Sequence, residues 1–162
     1  MTTAIVQAHP VPDSLNAELL RRVEAGCDAA GIEALTYRLP QGGRPSVEQM
    51  REHRELVLVY PTWWGGQPAQ LLDWLQEMLA ADALGSVRRL TAVTTLGSSR
   101  LVNLVQGEWG RVLLAGQVLD ACRGSAEFAW LPLYKIDRRS QEEIDEHLAS
   151  VQAHFADLRP VR

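Results

Sequence analysis

The segment that most constrains the fold is Glu55–Tyr60, ELVLVY. Five apolar residues follow one another there with no apolar–polar alternation, which is the signature of a strand buried on both faces. Such a strand belongs inside a parallel sheet covered by helices on either side. The rest of the chain repeats this alternation of short apolar runs with longer amphipathic ones. Thr3–Ala8 reads as a first strand, Ile32–Leu39 as a second, Arg89–Thr95 as a fourth and Ala126–Leu133 as a fifth.

Helical periodicity fills the intervals. Asp13 and Ser14 are good N-caps for a helix reaching about Ala30, with Leu15, Leu19, Leu20, Val23 and Cys27 at helical spacing and Gly31 to stop it. Pro40-Gln41-Gly42-Gly43 reads as a turn, and Ser46–Arg54 as a short polar helix. Pro68–Ala81 is a helix with Pro in its first turn, and Leu101–Cys122 is largely helical despite Gly107, Gly110 and Gly116. Ser140–Leu158 closes the chain as a helix, with Ser140 as cap and Glu143 three residues on. Five strands each followed by a helix imply parallel strands with right-handed crossovers, hence a three-layer α/β sandwich. The chain of 162 residues fits a single domain, 1–162, and would bury about 70% of its unfolded surface.

Composition narrows the class further. With 46% hydrophobic and 22% charged residues the chain is an ordinary globular one, which excludes disordered and fibrous architectures. Sixteen Lys and Arg against twenty Asp and Glu leave a net charge of −4, which argues against nucleic acid as partner. Two cysteines without a CxxC pair give neither a disulfide framework nor a zinc cluster. The first residues carry no secretory signal and the apolar runs are far short of the ~20 residues of a membrane span. The expectation is a cytoplasmic protein.

In an open parallel sheet, ligands bind beyond the carboxyl ends of the strands. Three loops there carry unusual residues. After the first strand comes His9-Pro10-Val11-Pro12-Asp13-Ser14-Leu15-Asn16, where helix N–H groups and the Ser14 and Asn16 side chains suit a phosphate. The same stretch reads equally as a capped helix with two turn prolines. After the third strand comes Pro61-Thr62-Trp63-Trp64-Gly65-Gly66-Gln67-Pro68. Its paired indoles form either a platform for a planar ring or a packing site. After the fourth comes Thr94-Thr95-Leu96-Gly97-Ser98-Ser99-Arg100, suited to hydrogen-bonding carbonyl and ring nitrogen atoms, or an ordinary polar loop. There is no GxGxxG, no phosphate-binding GxxxxGK[ST] and no GxSxG. His147 and His154 share a helix face but lack a third ligand, so no metal is expected. His53 is expected to be solvated, as is the run Lys135–Arg139.

Together the motifs HPVPDSLN at 9–16, YPTWWGGQPAQLLDWL at 60–75 and TTLGSSR at 94–100 resemble the flavodoxin-like NAD(P)H:quinone oxidoreductase family. That resemblance implies a flavodoxin-like sandwich with strand order 2-1-3-4-5 and a bound flavin. His9, Ser14, Leu15 and Asn16 would hold its phosphate and ribityl chain. Pro61, Thr62, Trp63, Trp64 and Gly65 would line one edge and face of the ring, and Thr95, Gly97 and Ser98 its pyrimidine side. FMN is favoured over FAD because the short chain offers no adenosine-binding segment. NAD(P)H would be co-substrate, a quinone or similar small molecule the acceptor, and a homodimer the assembly. The chain departs from the family in two short connections, Pro40–Glu55 and Ala80–Val87. It departs again in RLVNLVQGEWG at 100–110, where Trp109 stands at the place of a family His and no Tyr occurs. No catalytic residue is assigned. An FMN electron carrier and a flavodoxin-fold regulatory subunit are the competing readings.

Overall fold

The computed structural model describes residues 2–9, 11–39, 43–122, 125–159 and 161. The turn expected at 40–43 lies outside the described residues except for Gly43. The strands are β1 (Thr2–Ala8), β2 (Ala34–Leu39), β3 (His53–Pro61), β4 (Arg89–Leu96) and β5 (Glu127–Tyr134). They form one parallel sheet in the order β2-β1-β3-β4-β5, a flavodoxin-like arrangement. Register aligns Val6 with Leu58, Leu58 with Ala92 and Ala92 with Trp130, so these side chains share one face.

Because strand side chains alternate faces, the continuous apolar runs feed two cores. On one face Val6, Leu56, Leu58, Tyr60 and Leu90 pack with Leu71, Trp74, Leu75 and Met78 of α3 (Ala69–Ala80). On the other, Ile5, Val57, Val59 and Val93 meet Leu19, Leu20 and Val23 of α1 (Leu15–Ala29) and Leu148, Val151 and Phe155 of the last helix (Gln141–Ala156). These two helices touch at Gly26, where a Cβ would stand 2.6 Å from Phe155 Cβ and 2.6 Å from Gln152 O. Any side chain at 26 would push the pair apart.

The short helix α2 (Val47–Glu52) closes with a Ser46–Gln49 capping box, as the last helix does with Ser140 and Glu143. β2 starts at Ala34 rather than Ile32. Gly31 at φ +67 turns the chain, and Ile32 N–H donates to Cys27 O at 2.9 Å, so Ile32 finishes the helix end instead of starting the strand.

Two expectations need correction. The helix expected over 101–122 is broken into α4 (Arg100–Val105), α5 (Trp109–Leu113), a π-helical turn over Leu114–Val118 and α6 (Leu119–Ala121). Gly107 at φ +87 and Glu108 at φ +42 end α4, and Glu108 N–H caps it by donating to Asn103 O at 2.9 Å. With α4, α5 and α6 so defined, the last helix is α7. His53 is not solvated but buried at the start of β3. Its Nε2 hydrogen-bonds the Tyr37 hydroxyl at 3.0 Å, and its Nδ1 lies 2.9 Å from the Thr2 hydroxyl. β3 begins two residues before the segment Glu55–Tyr60, and that carries the imidazole into the sheet.

Candidate functional site

The three loops meet at the carboxyl edge of β1, β3 and β4. Ser14 caps α1 by accepting from Ala17 N–H at 3.2 Å, and its hydroxyl donates to Val11 O at 3.0 Å. His9 Nδ1 lies 3.2 Å from Val11 N, from Val11 O and from the Ser14 hydroxyl, so the ring is seated on the loop that leads into α1. Asn16 is buried. Its Nδ2 donates to Thr95 Oγ1 at 3.2 Å, tying the first loop to β4, while its Oδ1 is buried without a partner. Leu15 packs its side chain against the α1–α7 core, so its backbone is what it offers the edge.

The tryptophan loop is a tight hairpin. Trp63 and Gly66 exchange two hydrogen bonds of 3.0 Å around Trp64 at φ +52 and Gly65 at φ +81. Two consecutive positive φ values are those of a type I′ turn, in which glycine is at ease and tryptophan is not. The turn thrusts the Trp64 indole wholly into solvent. Trp63 is half exposed, its ring centroid 6.2 Å from that of His9. Thr62 N–H donates to Thr95 O at 2.8 Å, and the Thr62 and Thr94 hydroxyls share a 2.8 Å hydrogen bond. Pro61 is the buried last residue of β3.

Opposite the hairpin stands the α4–α5 junction. Gly110 N–H donates to Gly65 O at 3.2 Å, and the buried Gln67 donates from Nε2 to Gly110 O at 2.7 Å. Between the two lies a cavity of about 690 Å³, lined by Thr62, Trp63, Trp64, Gly65, Leu96, Gly97, Ser98, Asn103, Gln106, Glu108 and Trp109. That size is within the usual range for small-molecule sites, about 300–1,000 Å³. Asn103 Nδ2 donates to Ser98 Oγ at 2.7 Å and steadies its floor.

Of the residues singled out in the sequence, Thr62, Trp63, Trp64, Gly65, Gly97 and Ser98 line the cavity. Thr95 stands behind it in the wall, and His9, Ser14 and Asn16 lie on the adjoining α1 side. Arg100 faces a separate cleft beside β5. Sequence reasoning missed Asn103, Gln106 and Glu108, because a continuous helix was expected there. The one available signal was Gly107, set between them. Glu108 Oε1 accepts from the Tyr134 hydroxyl at 3.0 Å and Oε2 from Arg111 at 3.2 Å. Burial, then the Glu108 carboxylate, pushes the Tyr134 phenol above its ordinary range, against the opposing pull of the Trp130 indole and Arg100. Among the described residues no three His, Cys, Asp or Glu side chains gather as a metal set, and no helix is long and apolar enough to cross a membrane.

Residues 1–101 match the family described as flavodoxin-like fold. No curated protein matches the chain. Among solved structures, NAD(P)H:quinone oxidoreductase from Methanothermobacter marburgensis is similar with a TM-score of 0.81 at 18% identity, over 100% of this chain and 98% of that one. An FMN-dependent NADH-azoreductase from Bacillus anthracis, in complex with FMN, gives 0.79 at 11% identity, over 96% and 98%. General stress protein 14 from Treponema denticola, also in complex with FMN, gives 0.68 at 20%, over 96% and 98%. At such identities the shared property is the fold. The family match runs from β1 into the start of α4, and the strand order it requires is the one observed: the chain belongs to the flavodoxin-like fold family.

Proposed function

We propose that the protein is a flavin-dependent oxidoreductase that binds FMN and passes a hydride from NAD(P)H to a quinone or similar small acceptor. The observation that carries this reading is the cavity between the Trp63–Trp64 hairpin and Trp109, whose lining combines these three tryptophans with the small residues Gly97 and Ser98. The residues fit a flavin. A Cβ added at Gly65 or Gly66 would meet nothing within 4 Å, so the turn is open to a flat ring. The unpartnered Asn16 Oδ1 is an acceptor of the kind a ribityl hydroxyl would satisfy. The start of α1, fifteen residues long, supplies N–H groups and a positive dipole end for a phosphate. The FMN complexes among proteins of the same fold support the choice of cofactor.

On this reading Ser14, Asn16 and His9 hold the phosphate and ribityl chain, with the backbone of Leu15. Pro61, Thr62, Trp63, Trp64 and Gly65 bound one edge of the ring, and Gly97 and Ser98 bound the other, backed by Thr95. A flavin held there would supply two-electron, hydride-transfer chemistry between the nicotinamide and the acceptor. The chain's own part is placement, water exclusion and proton supply. Tyr134 O–H donates to Oε1 of Glu108, a residue of the cavity wall, and so can supply a proton from behind that wall. Water exclusion needs a cover, since Leu101, Leu104, Val105, Trp109 and Val112 beside the cavity are exposed apolar residues. A second copy of the chain provides it, giving a homodimer.

The test is a titration of the purified chain with FMN, followed by NADH and NADPH oxidation with a quinone. Saturable binding and ping-pong kinetics are expected. Binding without oxidation would make the protein an electron carrier, and no binding would leave a regulatory subunit of the same fold.

A further inference from the structure

Next to the ring cavity, on the β5 side, lies a second cleft of about 630 Å³. Arg100, Lys135, Arg138 and Arg139 line it together with one carboxylate, Glu143, so it carries three net positive charges in a chain whose net charge is −4. Glu143 is already taken: its Oε1 accepts from Arg139 Nη1 at 2.7 Å. Arg139 is also held through its Nε, which donates to Tyr134 O at 3.1 Å. Arg100, Lys135 and Arg138 have no carboxylate partner within ion-pair distance among the described residues.

The backbone beneath these cations is fixed and strained. Lys135, the only lysine in the chain, sits at φ +58 and ψ +43. A lysine rarely adopts that left-handed conformation, and such outliers gather where a side chain must be aimed. Its N–H donates to Ser98 O at 3.1 Å, and Ser98 is part of the ring-cavity floor. The two spaces are contiguous through adjacent residues. Ser98 lines one and Ser99 the other, while Tyr134, a wall of the cleft, bonds Glu108, a wall of the cavity.

We propose that this cleft binds an oxyanion group, phosphate or sulfonate, of a substrate whose ring end enters the neighbouring cavity. The proposal rests on the oxidoreductase reading for the ring end, but the anion site itself does not. Three unpartnered cations on one concave surface lose little when an oxyanion replaces their water, because none has to abandon a carboxylate. The chemistry is common to the diphosphate of a nicotinamide dinucleotide and to an acid group on the acceptor.

The first arm of the test is calorimetric titration of the chain with inorganic pyrophosphate at low salt, in the presence of excess FMN to fill the α1 site. Lys135→Glu combined with Arg138→Glu is the variant, with its thermal midpoint as fold control. Wild type is expected to bind pyrophosphate in a salt-sensitive manner, and the variant at least tenfold more weakly. Equal affinity in the two proteins, or no binding to wild type, would overturn the proposal, whatever the outcome for FMN or turnover. The second arm measures KM. A rise of about tenfold for NAD(P)H assigns the site to the donor, and one confined to a sulfonated quinone assigns it to the acceptor.

Discussion

Tryptophan occurs both in the interior and on the carboxyl rim, and the contrast shows how differently the two regions are built. Trp74 is 0% exposed, sits at helical spacing with Leu71, Leu75 and Met78, and donates from Nε1 to Pro45 O at 3.1 Å. Trp63, Trp64 and Trp109 are 45%, 105% and 71% exposed, on a hairpin and a helix start that turn on positive φ angles. The interior has its apolar surface covered and its indole satisfied. The rim presents comparable apolar surface to water on strained backbone. Folding alone gives no reward for that arrangement, so the rim is built for something that covers it.

The largest expected effect follows from the interior. Trp74→Ala should cost roughly 3–5 kcal/mol of stability, the range for emptying a large aromatic from a core, measured by urea unfolding. Destabilisation below about 1 kcal/mol would mean the region is not packed as described. Next comes His53, whose ring joins Tyr37 and Thr2 inside the sheet. His53→Ala should cost on the order of 1–3 kcal/mol by leaving buried polar groups unpaired.

The histidines also give the comparison a pH axis. Burial lowers His53, His147 and His154 below the ordinary value of 6.5, with Arg139 adding to the effect at His147 and Arg89 at His154. The unfolded chain therefore takes up protons at a higher pH than the folded one. Stability from these groups is complete above about 6.5 and declines as pH falls below it, toward the lowered folded values. Unfolding midpoints taken from pH 8 down to 5 should show the decline, and His53→Gln should make it shallower.

Smaller effects belong to the rim. Ser14→Ala should cost about 1 kcal/mol through the lost α1 cap, while also weakening FMN. Trp64→Ala should change stability by no more than about 0.5 kcal/mol, as for surface positions in general. A loss from Trp64→Ala as large as that from Trp74→Ala would erase the distinction between the two regions.

The sequence made the sheet legible because buried strands leave an unmistakable mark. The ELVLVY run lies wholly inside β3, and the Leu71–Met78 spacing lies on the buried face of α3. The hairpin was legible as a place, since two prolines and two glycines bracket the indoles. Its positive φ at Trp64 was not, because propensity speaks against a tryptophan there. The break at Gly107–Glu108 was hidden by apolar residues that keep helical spacing across it, and with it went Asn103 and Glu108. His53 was misplaced for a different reason. Its neighbours Glu52 and Arg54 are polar, and only strand pairing with β1 draws the imidazole inward. The cations beside β5 read as a solvated run because nothing local shows that Arg100, some thirty-five residues earlier, faces the same cleft.

The most direct test of the central claim is fluorescence during FMN titration of wild type and of Trp63→Ala, Trp64→Ala and Trp109→Ala. If the flavin ring lies between the hairpin and Trp109, FMN fluorescence falls on binding and part of the tryptophan emission is quenched. Each variant should then lose a share of that quenching and bind FMN more weakly, by about 0.5–1.5 kcal/mol of stacking beyond the area buried, while unfolding at nearly the wild-type urea concentration. Quenching and affinity unchanged in all three variants would contradict the account, and would place the flavin away from the indole-lined cavity.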